Sequence, residues 1–106
     1  MPKFLVEATY TAEGLKGLAK DKASGRKAAV AQMIKKAGGK LDAMFFSMGK
    51  RDAILIVDMP DGASIAAVTT AASASGMVRV NTTSLLTVDE MDEALAKSVA
   101  YRAPGS

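Results

Sequence analysis

Between positions 41 and 60 the chain reads LDAMFFSMGKRDAILIVDMP, two apolar runs separated by Gly49-Lys50-Arg51-Asp52. The short spacing predicts a β-hairpin from Leu41–Met48 and Ala53–Met59, with Gly49 easing the tight turn. Neither run alternates between apolar and polar residues. Ile54 and Ile56 fall on one side of the second run, and Ala53, Leu55, Val57 and Met59 on the other. The first run sets Leu41, Ala43 and Phe45 against Met44, Phe46 and Met48. A sheet wetted on one face alternates, so both faces are expected to be covered. Leaving one bare would expose a larger apolar patch than monomers usually carry. The simplest resolution is that two copies stack these sheets face to face. The alternative is a single copy whose Thr11–Gly25 segment lies across the sheet.

Upstream, Lys3–Tyr10 does alternate, with Phe4, Val6, Ala8 and Tyr10 on one side and Lys3, Leu5, Glu7 and Thr9 on the other, which predicts a first strand. Thr11–Gly25 carries Gly14, Gly17 and Gly25 and reads as a short helical turn followed by a loop. From Arg26 a helix is predicted to Ala37, burying Val30, Met33, Ile34 and Ala37, and Gly38-Gly39 ends it. Downstream, Pro60-Asp61-Gly62 stops the hairpin and offers Asp61 as N-cap to a helix over Ala63–Ser75, anchored by Ile65, Val68 and Ala72. Met77–Leu86 is a fourth strand. Thr87 and Glu90 have capping-box spacing, with Leu86 and Met91 as a staple, so a last helix starts at Val88 and is expected to carry Met91 and Leu95 inward.

The resulting order, β-α-β-β-α-β and one further helix, is that of an α+β, ferredoxin-like domain with a four-stranded antiparallel sheet and its helices on one face. Residues 1–100 form the expected domain and 101–106 a tail.

The 106 residues contain no Cys and no His. Thiolate nucleophiles, imidazole bases, disulfides and Cys/His zinc sites are thereby excluded. No run of Asp and Glu is spaced like a calcium loop, so neither a metal nor a cofactor is expected. The net charge of +3 comes from 14 basic and 11 acidic residues, many of the basic ones between Lys16 and Lys40. A solvated helix face explains such a cluster most simply. No apolar run is long enough to span a membrane and no hydrophobic signal core opens the chain, which points to the cytoplasm.

In the expected strand order the first and fourth strands are neighbours. Glu7, Thr9, Arg79, Asn81 and Thr83 then share the face opposite Phe4, Val6, Val78 and Val80. Glu7 and Arg79 are expected to pair across the strands, with Asn81 beside them. That group reads either as an ion pair setting register or as a pocket for a small polar or anionic ligand.

Gly49-Lys50-Arg51-Asp52 before a strand ending Val57-Asp58-Met59-Pro60-Asp61 resembles the GYD-domain family, named for a Gly, Tyr and Asp cluster at this hairpin. Gly38-Gly39-Lys40-Leu41, Ser75-Gly76-Met77-Val78-Arg79, Leu85-Leu86-Thr87 with Glu90, and Tyr101-Arg102-Ala103-Pro104-Gly105 are similar to the family pattern too. The resemblance covers nearly the whole chain and implies a dimeric α/β barrel. Arg51 stands where the family often has Tyr, so no role of a phenol carries over. Gly49 and Asp52 remain, and a hairpin Asp commonly binds its own turn. The resemblance implies no catalytic residue.

Four functions are consistent with these features. The first is a homo-oligomeric module that binds or senses a small molecule through Glu7, Thr9, Arg79, Asn81, Arg51 and Asp52. The second is a cofactor-free oxygenase or isomerase using Glu7 or Asp52 as base and Tyr10 or Arg79 as electrophilic helper. The third is a purely structural assembly subunit. RNA binding, the fourth, is disfavoured because the strand Ala53–Met59 has no aromatic on which a base could stack.

Overall fold

The computed structural model describes residues 1–106. Its elements run β1 (Lys3–Tyr10), α1 (Ala12–Lys36), β2 (Lys40–Phe46), β3 (Ala53–Asp58), α2 (Gly62–Ala74), β4 (Val78–Leu85) and α3 (Val88–Ala96). The strands form one sheet in the order β2-β3-β1-β4, with every neighbouring pair antiparallel. β1 is central because its alternation gives it a fully apolar side. Phe4, Val6 and Ala8 are buried there, beside Ala53, Leu55 and Val57 of β3. Val30 and Ile34 of α1, Ile65 of α2 and Met59 close this core from the helix side.

Helix ends follow the local chemistry. Asp61 caps α2 by accepting from the Ser64 N–H at 2.8 Å. That hydrogen-bond partnership with Ser64 holds the Asp61 carboxyl below its ordinary pKa. At the end of α1 the Gly38 N–H donates to Lys35 O and the Gly39 N–H to Ile34 O, each at 3.0 Å. This pairing requires the left-handed φ of 87° that Gly38 adopts. Gly39 lies so close to β3 that a Cβ there would collide with Asp58 O and the Met59 sulfur.

Three expectations change. The segment Thr11–Gly25 is mostly helix and not a loop: Thr11 caps α1, which runs to Lys36 with one break at Lys22 (φ 64°, ψ 163°). One of its glycines marks a close approach, for Gly14 is buried where a Cβ would strike Met77 O. The segment therefore packs on the helix side and leaves the opposite sheet face open. Second, the ladder between β2 and β3 shifts at Asp42. This β-bulge puts Leu41 opposite Val57 on the helix side with Met44 and Phe46, and only Ala43 and Phe45 on the open side. Third, α3 does not turn inward. None of its residues is buried, and Met91 and Leu95 are 46% and 71% exposed. The capping box does form, and it fixes where the helix begins without supplying anything for it to pack on. With α3 standing off the body, the radius of gyration is 16.8 Å, against about 13 Å for a compact chain of this length.

Candidate functional site

The open face carries Lys3, Leu5, Glu7 and Thr9 of β1, Ile54, Ile56 and Asp58 of β3, and Arg79, Asn81 and Thr83 of β4. Its apolar middle is flanked by charge at both ends. At one end the Lys3 ammonium donates to Asp42 at 2.6 Å and to Asp58 at 2.7 Å. β1–β3 pairing sets Lys3 opposite Asp58, and the bulge lets Asp42 reach the same ammonium. The hydrogen bonds to Asp42 and Asp58 push the Lys3 pKa up to about 12. The bond from Lys3 correspondingly holds Asp42 below its ordinary range. Sequence reasoning missed this trio. Its signal was the register itself, since Lys3 and Asp58 sit at the matching ends of paired strands.

At the other end, Glu7, Thr9, Arg51, Arg79 and Asn81 line a cavity of about 350 Å³ together with Val80. Five of the six residues singled out as ligand-binding are thus brought together. The sixth is not. The Asp52 carboxylate accepts from the Tyr10 N–H at 2.8 Å, and its own N–H donates to Ala8 O at 3.0 Å. Asp52 therefore ties the hairpin to the end of β1 and adds nothing to the cavity wall.

The expected Glu7–Arg79 pair does not form. Register sets Glu7 opposite Asn81, and Arg79 opposite Thr9. The nearest cation to Glu7 is Arg51, with Nε to Oε2 at 3.9 Å, a loose contact at the edge of an ion pair. No carboxylate oxygen lies within 4.0 Å of Arg79. The cavity thus holds two guanidinium groups, one carboxylate, an amide and a hydroxyl, a set with more positive than negative charge. It suits a small anion, which a guanidinium can grip through two parallel hydrogen bonds. Tyr10 belongs elsewhere, packed against the hydrophobic core. A mechanism pairing Glu7 with the Tyr10 phenol has no geometric basis. No three acidic, His or Cys side chains converge as a metal site.

Fold and site together define an α+β domain whose antiparallel sheet bears helices on one face and an open, charge-tipped surface on the other. The family model of the GYD domain matches residues 4–95, which is the four strands except Lys3 and the three helices except Ala96, and the chain belongs to that family. The resemblance first carried by Gly49, Asp52 and the flanking segments is thereby confirmed. No curated protein and no solved structure matches the chain. No helix is long and apolar enough to cross a membrane.

Proposed function

We propose that the protein is a homo-oligomeric module that binds, and by binding senses, a small anionic molecule in the cavity lined by Glu7, Thr9, Arg51, Arg79 and Asn81. One observation carries this reading: Arg79 projects from β4 into a cavity of about 350 Å³ with no carboxylate within 4.0 Å. Cationic groups placed only for register are usually matched by a partner, as Lys3 is at the other end of the same face. The volume falls at the small end of ligand sites, which run from about 300 Å³ upward. A carboxylate or phosphate of modest size is the fitting ligand class.

The oligomer in this reading is a dimeric α/β barrel of ferredoxin-like protomers with their open faces stacked. Its support is the order β2-β3-β1-β4 and the apolar middle of that face, where Phe45 is 66% exposed beside Ala43, Ile54 and Ile56. Stacking would also roof the polar cavity and strengthen its electrostatics by excluding water. Calorimetric titration with small carboxylates and inorganic phosphate, on the native protein and on Arg79→Ala, tests the site. Affinity lost in the variant supports it, and equal affinity or no binding across the set rejects it. Light scattering across a concentration range tests the stacking, which a monomer at all concentrations would refute.

A further inference from the structure

The anion cavity does not stand alone on the open face. Register sets Glu7 opposite Ile54, and Ile54 in turn opposite Phe45. One row further along, Leu5 lies opposite Ile56, and Ile56 opposite Ala43. The charged cavity at Glu7, Arg51 and Arg79 therefore runs straight into an apolar strip. In that strip Leu5, Ile54 and Ile56 are half-buried and Phe45 is 66% exposed. Beyond it the face turns acidic, because Lys3 meets both Asp42 and Asp58. Two guanidinium groups and one carboxylate leave the cavity end with a net positive charge. One ammonium and two carboxylates leave the far end with a net negative charge.

We propose, on the strength of the anion-binding reading above, that the ligand is a monocarboxylate with an apolar tail. Its head lies at Arg79 and its tail along Ile54, Leu5 and Ile56.

Useful affinity requires the tail. The Arg51 and Glu7 side chains are 36% and 25% exposed, and Arg79 is exposed as well. An ion pair so open to water shifts an equilibrium by about fivefold or less, so a bare anion is held weakly. Each methylene removed from water adds about fourfold, and two of them outweigh the head. The apolar surface that can accept them begins at Ile54, directly across from Glu7 and about one strand spacing, 4.8 Å, away.

The two ends set the charge and the length. One net positive charge in the cavity matches a carboxylate better than a phosphate monoester, which carries about two negative charges. Glu7 and Lys3 lie on the same strand, with about 13 Å between them at the usual rise. An extended chain advances about 3.6 Å for every three bonds, so the strip takes a tail of about ten bonds before the acidic end. A second carboxylate on that tail would rest on apolar side chains or beside Asp42 and Asp58, and dicarboxylates are disfavoured either way. A stacked partner sheet would enclose the tail and leave the head where it is.

Calorimetric titration of the native protein with butanoate, hexanoate, octanoate and octanedioate tests this. Affinity should rise about twofold per methylene on one open face and about fourfold where a partner sheet covers the tail. A flat series overturns the proposal. If that flat series still weakens in Arg79→Ala, the anion site stands without a tail strip; no binding by any member removes both. Octanedioate should bind about tenfold more weakly than octanoate, since its second charge has no partner, and equal affinity counts against the tail's placement. Arg79→Ala should lower affinity by one common factor at every chain length. Ile54→Thr, which keeps a β-branched residue in the strand, should flatten the rise with chain length and affect butanoate least. Octanoate that binds Arg79→Ala as tightly as the native protein would sit in another cleft and overturn the proposal. Hexyl phosphate and heptanoate share a hexyl tail, and tighter binding of the phosphate would overturn the carboxylate head.

Discussion

The two ends of the open sheet face carry the same kinds of side chain and use them in opposite ways. At the Lys3 end, one cation meets two carboxylates at 2.6 and 2.7 Å. At the Arg79 end there are two cations and one carboxylate: Arg51 lies 3.9 Å from Glu7, and Arg79 has no carboxylate within 4.0 Å. The first end is satisfied and holds three strands in register. The second is left in want of negative charge, beside a cavity large enough to admit it. Charge on a sheet is informative through its partners more than through its presence.

Substitutions can break that contrast. Asp52→Ala should have the largest effect, lowering stability by about 2 kcal/mol because the Tyr10 N–H loses a charged acceptor. Urea unfolding measures it. Anion affinity should be unchanged, and a loss as deep as that of Arg79→Ala would return Asp52 to the binding site. Arg79→Ala itself should cost about tenfold in affinity, roughly 1.4 kcal/mol, with no change in unfolding midpoint. An altered midpoint with intact affinity would make Arg79 a structural residue like Lys3.

Removing the competing carboxylate sharpens the contrast. Glu7→Gln should raise anion affinity about threefold, a modest gain since the displaced contact is long and partly open to solvent. Weaker binding would mean that Glu7 itself contacts the ligand. The smallest effect is expected from pH. Lys3 has its pKa raised in the folded state, so its contribution is complete below 10.5 and fades as pH rises through about 12. Asp42 has its pKa lowered, so its contribution is present above 3.8 and fades as pH falls through the depressed folded value. A Lys3→Gln protein should therefore show a flatter dependence of Tm on pH at both extremes, and an unchanged curve would deny the trio any role in stability.

Much of this was legible beforehand, for reasons specific to particular elements. The strands showed in the alternation of β1 and in the apolar runs of the hairpin. The caps at Asp61 and Thr87 and the stop at Gly38 depend on neighbours in sequence, and all three formed. The N-terminal half of α1 was missed because its glycines look like breakers in isolation. Only the tertiary approach of Gly14 to Met77 makes a missing side chain useful there. The partner of Glu7 was misassigned because a cross-strand pair depends on register, and an offset of two residues separates Asn81 from Arg79. The inward direction expected of α3 failed, for capping-box and staple spacing reports where a helix begins and says nothing of what its far end touches.

The bulge at Asp42 makes the β2 strand longer by one residue than its partner requires. Leu41 still pairs with Val57 and Ala43 with Ile56, as they would in a ladder with nothing between them. Asp42 is therefore a spare letter in the text of the strand. Excising it would leave every other side chain on its present face, and the chain should accept a single-residue deletion there that would scramble any neighbouring position. The loss would fall on Lys3, left with Asp58 alone.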